Sequence, residues 1–168
     1  HSLHAESWRL GGVFHAAGVL ADALLSGRSA QRLCAVYGHQ AHGAVALHRA
    51  AALAPLHTFL VYSSAASLLG SAGQAPHSAA NSWLDACVYW RRNAWGVGQG
   101  LQWGAVAEIG YAMRAGADKR AERSGSGAIT RAMAYEALVC VLSSQWRLAA
   151  VLPIDWPKLL GGASGAGV

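Results

Sequence analysis

The stretch Thr58–Ser63, TFLVYS, followed by the small-residue segment Ser64–Ala75 and then by Pro76, decides the fold. β-Branched and aromatic residues in an unbroken apolar run suit a strand buried on both faces. The Ser, Ala and Gly residues after it read as a loop at the strand's C-terminal end. Pro76 suits the first turn of a helix, where its missing N–H has no intrahelical partner to lose. That helix is expected to reach about Asn93, with Ala80, Leu84, Cys87, Val88 and Arg91 stepping by three and four residues along one face.

The same unit recurs on either side. Gly12–Gly18, GVFHAAG, is a short apolar run ending in small residues, the form of a buried parallel strand that delivers a loop. From Ser29 to about Ala52, Leu33, Val36, Val45 and Leu47 fall at helical spacings, and Pro55 ends the segment. Val97–Trp103 is a weaker strand because of its glycines. Thr130–Ser143 is a helix with Thr130 as N-cap, and Leu148–Ile154 is a last apolar strand. Strand and helix in alternation predict an α/β fold, a parallel sheet with crossover helices. No internal repeat is visible, so residues 1–160 are expected to form one domain and the glycine-rich 161–168 a tail or linker.

Composition narrows the function classes. Of 168 residues, 54% are hydrophobic and only 12% charged, which excludes disorder and favours a sheet covered on both faces. The net charge of +5 is concentrated at Arg91–Arg92 and between Arg114 and Arg131. Asp118 and Glu122 interrupt the second cluster and no aromatic residues alternate with it, so it reads as a solvated face and not as a nucleic-acid platform. An acidic protein partner stays compatible with that charge. Cys34, Cys87 and Cys140 are widely spaced and outside any CxxC pattern, and His48 and His57 have no ligand spacing, so neither a disulfide framework nor a metal site is expected. Free thiols point to a reducing compartment, the cytoplasm or a plastid. From Ala50 to Leu84 there is no Asp, Glu, Lys or Arg, but Ser63, Ser64, Gln74, Pro76 and Asn81 rule out a membrane span. The chain begins at His1 with no signal pattern and reads as a fragment.

Open α/β sheets place their sites beyond the C-terminal ends of the strands, so the loops starting at His15, Ser64 and Trp103 are expected to share one crevice. All three carry distinctive motifs: FHAAGVLADALL (Phe14–Leu25), FLVYSSAASLLGSAGQAPHSAANSWLDA (Phe59–Ala86) and LQWGAVAEIG (Leu101–Gly110), with LPIDW (Leu152–Trp156) near the end. In order and spacing these segments resemble the ketoreductase domains of modular polyketide synthases, members of the short-chain dehydrogenase/reductase group, over nearly the whole chain. The resemblance implies a Rossmann-like nucleotide-binding fold and NADPH-dependent reduction of a β-ketoacyl group carried on an acyl carrier protein. It also implies four site positions: a Ser that hydrogen-bonds the substrate carbonyl, a Tyr thirteen residues later that donates the proton, an Asn four residues on, and a Lys on the preceding helix that lowers the Tyr pKa and holds the nicotinamide ribose.

Here the Ser position is Ser64 and the Asn position Asn81, but the Tyr position holds His77 and the Lys position Gln40. His77 and Asn81 are one helical turn apart and face the same way, so the geometry of the set is expected to survive. An imidazole can donate a proton near neutrality. Gln40, however, has no charge to supply the role of Lys, and an imidazole need not reach the point where a phenol hydroxyl would sit. The expectation is a disabled reductase, with a non-catalytic structural or protein-interaction module derived from one as the rival reading. Taken alone, Ser64 also reads as part of a Ser-rich turn with local hydrogen bonds. Asp22, in LAD, occupies the second acidic position of an LDD motif that accompanies one stereochemical class of the family, and Leu69 stands where a Trp marks the other class.

The residues implied to face the cofactor are Ala16, Ala17, Gly18, Trp103 and Gly104. A dinucleotide site also needs a Gly-rich turn between a strand and a helix, whose amides hold the pyrophosphate. GVGQG (Gly96–Gly100), SGSG (Ser124–Gly127) and the GGASGAG end all lie in the wrong context for it. The fold is therefore expected to be incomplete, a C-terminal half lacking the cofactor-binding βαβ units, and NADPH binding by this chain alone is not expected. Its implied partners are an acyl carrier protein, neighbouring synthase domains, or an N-terminal half supplied from elsewhere. An uncovered apolar edge would favour self-association.

Overall fold

Four parallel strands form the sheet in the computed structural model, which describes residues 9–27, 29–107 and 125–164. β1 (Gly12–His15), β2 (Thr58–Ser64), β3 (Gln99–Trp103) and β4 (Leu148–Val151) lie side by side in chain order. Phe14 pairs with Leu60, Tyr62 with Leu101 and Trp103 with Val151, so all four C-terminal ends face one edge. The parallel α/β sheet read from the sequence is the fold. The motif residues Glu108–Gly110, the basic stretch from Arg114 to Arg123, Ser124 and the last residues, 165–168, lie outside the described residues.

Local chemistry sets the connections. Ser29 caps α1 (Ala30–Tyr37) by accepting from the Arg32 N–H, and the helix then widens into a π turn over Gly38–His42 before continuing as α2 (Gly43–Ala50). The sequence reading treats this as one uninterrupted helix, since an i→i+5 turn leaves no mark in hydrophobic spacing. A short helix α3 (Ala66–Leu69) forms inside the segment read as loop. α4 (Ala75–Trp95) has Pro76 in its first turn and ends at Gly96, whose φ of 77° is the left-handed conformation that suits glycine. Thr130 caps α5 (Arg131–Ser143) through the Met133 N–H. α6 (Trp156–Ser164), started by Asp155 accepting from the Lys158 N–H, takes in Gly161–Ser164 at the head of the glycine-rich end.

The core has two layers, as the twofold alternation of a strand requires. On one face Val13, Phe59 and Val61 pack with Ala44 of α2 and with Leu84 and Val88 of α4. On the other, Leu60 and Leu101 pack with Val141 of α5, so the β3-to-β4 crossover has the opposite hand to the two before it. α5 covers its face only in part. An apolar cavity of about 360 Å³ opens among Tyr62, Trp103, Val106, Ala134, Tyr135 and Leu138, and Phe14 on β1 is half exposed.

Beneath α4 the core includes a cation. Arg91, 3% exposed, stacks its guanidinium 4.0 Å over the Phe59 ring and donates from Nη1 to Nδ1 of His48, which lies edge-on to Trp90 and Trp95. A neutral imidazole serves as the acceptor, so protonating it would set a second positive charge against the first. Burial, then the charges of Arg91 and Arg49, accordingly lower the His48 pKa from its ordinary value. A histidine depressed in the folded state contributes stability that is fully present above its unfolded pKa of about 6.5 and is lost as pH falls through the folded value. Urea denaturation at pH 7.5 and at pH 5.5 should show a lower midpoint at the acidic value. His48→Gln, which keeps an acceptor and does not titrate, should flatten the dependence, leaving the share due to His77.

Candidate active site

The cleft at the C-terminal edge is built around the π turn. Its wider helical step buries Gln40 and Ala41, and His15 at the end of β1 donates from Nε2 to the Gln40 carbonyl at 2.8 Å. Gly43 permits this approach, since a Cβ there would lie 3.0 Å from His15 Cε1. The Gln40 side chain, 3% exposed, turns toward the β1 loop: its Nε2 is 3.6 Å from where a Cβ on Gly18 would be. Its Oε1 is buried with no hydrogen-bond partner among the described residues, an orphan acceptor of the kind that calls for a ligand donor or water.

Ser64 ends β2, and its hydroxyl accepts from the Ala66 N–H at 3.1 Å. Next to it Ser63 donates to the Asn81 carbonyl at 3.3 Å, which ties the end of β2 to the second turn of α4. Asn81, 1% exposed, donates from Nδ2 to the His77 carbonyl at 2.8 Å, and the same nitrogen lies 3.2 Å from both ring nitrogens of His77. The imidazole thus rests against Asn81, one turn on. Burial lowers the His77 pKa from its usual value, and the carboxylate of Asp22 works in the opposite direction. Asp22 reaches this neighbourhood because both its oxygens accept from Gln74 Nε2, at 3.2 and 3.1 Å, while the Ala23 N–H bonds the Gly73 carbonyl.

Of the sequence-derived positions, His77 and Asn81 are in contact and Asp22 acts on His77, while Gln40 lies on the π turn that packs against α4 and Ser64 ends the adjoining strand. Ala16, Ala17 and Gly18 lie exposed at the mouth of β1, and Leu69, half exposed, closes α3. Trp103 takes a different place: its ring packs on Tyr62 with centroids 5.6 Å apart and lines the α5 cavity. Gly104 has a packing reason of its own, since a Cβ there would stand 2.8 Å from Leu152 Cβ and 3.2 Å from the Val151 carbonyl. Sequence reasoning did not single out His15, Ser63 or Gln74 as parts of the site. Their roles depend on partners 18 to 52 residues away, for which the sequence has no local signal. Among the described residues no three His, Cys, Asp or Glu side chains gather as a metal site, and no helix is long and apolar enough to cross a membrane.

A parallel sheet joined by crossover helices defines an α/β domain of the Rossmann-like type. The KR domain family model matches residues 1–108, and the chain belongs to that family. It is 44% identical over 99 residues to the phthioceranic/hydroxyphthioceranic acid synthase of Mycobacterium tuberculosis (strain ATCC 25618 / H37Rv), a match covering 59% of this chain and 5% of that protein. To the mycocerosic acid synthase-like polyketide synthase of the same organism it is 44% identical over 104 residues, 62% of this chain and 5% of that one. Among solved structures, an A-type ketoreductase from a modular polyketide synthase superposes with a TM-score of 0.88 at 32% identity, over 94% of this chain and 33% of the other. The first ketoreductase of the tylosin synthase gives 0.84, also at 32% identity, over 92% and 34%. The chain thus spans about a twentieth of the synthases and a third of the structures it matches.

The opposing influences on His77 lead to a direct check. NMR titration of the imidazole should give a pKa below about 6.5, and Asp22→Asn, by removing the carboxylate that raises it, should lower it further.

Proposed function

We propose that this chain carries the catalytic-residue portion of a synthase ketoreductase domain in which reduction of a β-ketoacyl thioester is disabled at positions 40 and 77. The observation that carries the reading is Gln40: an uncharged, buried carboxamide sits at the cleft where the family has a lysine. NADPH, when bound to such a domain, supplies the hydride. The orphan Oε1 of Gln40, whose Nε2 lies toward Gly18, suits a ribose hydroxyl as donor, and Ala16–Gly18 would lie along that end of the cofactor. No described residue offers a Gly-rich turn for its pyrophosphate, so a complete domain would have to hold the phosphates elsewhere.

The residues present can position a substrate better than they can protonate it. Ser64 offers a hydroxyl to a carbonyl oxygen, and Asn81 braces the cleft wall. His77 is a poor acid. Burial lowers its pKa from the ordinary value and so disfavours the imidazolium form, and a neutral imidazole N–H is a far weaker acid than imidazolium. Gln40 adds no charge to assist it. Asp22 and Leu69, at the rim, are where stereochemical preference would be set. The acyl carrier protein and the neighbouring synthase domains are the partners this reading implies.

The half-covered α5 face favours a second role beside the first. Its aromatic cavity and the exposed Phe14 suit packing against further protein, as expected of a module retained for assembly, and would let the isolated chain self-associate.

Steady-state NADPH oxidation with a small diketide thioester tests the main reading. In a complete ketoreductase domain carrying this segment, turnover should be at background. His77→Tyr with Gln40→Lys should raise it by about 10² to 10⁴, the usual contribution of a positioned acid/base group. Turnover of the unrestored domain above background and at a rate like that of the restored one would make His77 a working acid and overturn the proposal.

A further inference from the structure

Three side chains distant in sequence meet beneath the Ser64 loop. Ser67, on α3, places its Oγ 2.6 Å from Asp85 Oδ2 and 2.8 Å from the Ser64 carbonyl. Gln102, on β3 and 8% exposed, donates from Nε2 to that same Asp85 oxygen at 2.8 Å and to Ser67 Oγ at 3.1 Å. Asp85 belongs to α4, one turn beyond Asn81, and its Oδ1 is buried without a hydrogen-bond partner among the described residues.

Apolar packing does not call for a carboxylate here, and sinking one beneath a loop is unfavourable unless donors converge on it. Two do, and each comes from a different element. Ser67 has a single hydroxyl proton lying between two oxygens, the Ser64 carbonyl and the Asp85 carboxylate. Gln102 closes the triangle with the paired hydrogens of its amide. The outcome is a junction of α3, α4 and β3 immediately behind Ser64. The Ala65 N–H, bonded to the Trp103 carbonyl at 2.8 Å, holds the same corner from the strand side.

We propose that Asp85 is the positioning residue of this site. It holds Ser67, and through Ser67 the backbone of Ser64, so that the Ser64 hydroxyl and Asn81 are both referenced to one rigid helix. The consequence for substrate rests on the ketoreductase reading of Ser64; the ordering of the loop does not.

Hydrogen exchange of the full chain separates the two. The amides of Leu68, Leu69 and Gly70 bond the Ala65 and Ala66 carbonyls and report the order of α3. Asp85→Ala should speed their exchange by about ten- to a hundredfold, the effect expected for loss of hydrogen bonds to a charged group, with Phe59–Tyr62 in β2 unchanged. Ser67→Ala should reproduce the effect from the other end. Asp85→Asn keeps an oxygen for Ser67 and Gln102 and should restore protection. Unchanged exchange in Asp85→Ala, or equal acceleration in β2, would overturn the proposal. In the His77→Tyr, Gln40→Lys domain, Asp85→Ala should lower kcat at least about tenfold and move KM much less; an unchanged kcat there would also overturn it. Should the restored domain not turn over at all, the reductase reading fails while the exchange result still decides Asp85.

Discussion

Strand β2 is gripped from both sides, and the rest of the molecule is arranged around that grip. Phe59 and Val61 point into the layer made by α2 and α4, Leu60 into the layer under α5, and β1 and β3 pair with it on either edge. Full burial of such side chains contributes roughly 1.5–3 kcal/mol each, and the parallel ladder fixes where the strand stops. Since β2 ends at Ser64, its register against β3 determines how far the Ser64 loop projects beyond the sheet edge. A one-residue slip would exchange the two layers and turn Ser63 and Ser64 to opposite sides.

Helix α4 converts that fixed edge into a site. It begins where the Ser64 loop ends and packs its Ala80, Leu84 and Val88 face on the sheet. Successive turns carry His77, Asn81 and Asp85: the Asn81 carbonyl meets Ser63 near the end of β2, and the Asp85 carboxylate meets Ser67 of α3 and Gln102 of β3. The helix is anchored at its far end by Arg91 on Phe59, so one core aromatic supports both the strand and the helix that define the cleft. At the widened turn, Gly38–His42, His15 secures the Gln40 carbonyl and leaves the side chain facing Gly18.

Positions 40 and 77, which in the family resemblance hold a lysine and the phenol it activates, here hold a carboxamide and an imidazole whose pKa burial lowers. A formal charge that acts on His77 is Asp22, whose carboxylate accepts from Gln74. The family, not the fold alone, connects the chain to the ketoreductase domains of polyketide synthases.

Local chemistry in the sequence determined the order and type of the main elements. The apolar run of TFLVYS, the proline opening α4, Thr130 as a cap and the alternation of strands and helices require only neighbours in the chain, and each stands where it was read. The motif spacing likewise assigns, by resemblance, the four site positions to Gln40, Ser64, His77 and Asn81. Tertiary structure alone decided the π turn, the helix α3 within a loop-like segment, and the side of the sheet that α5 covers. It also decided that Trp103 turns into an apolar cavity and that Gly104 is needed for the close approach of Val151 and Leu152. These features are set by contacts between segments far apart in sequence, such as Gln102 with Asp85 or His15 with Gln40. Periodicity and propensity, being properties of a short window, contain no information about them.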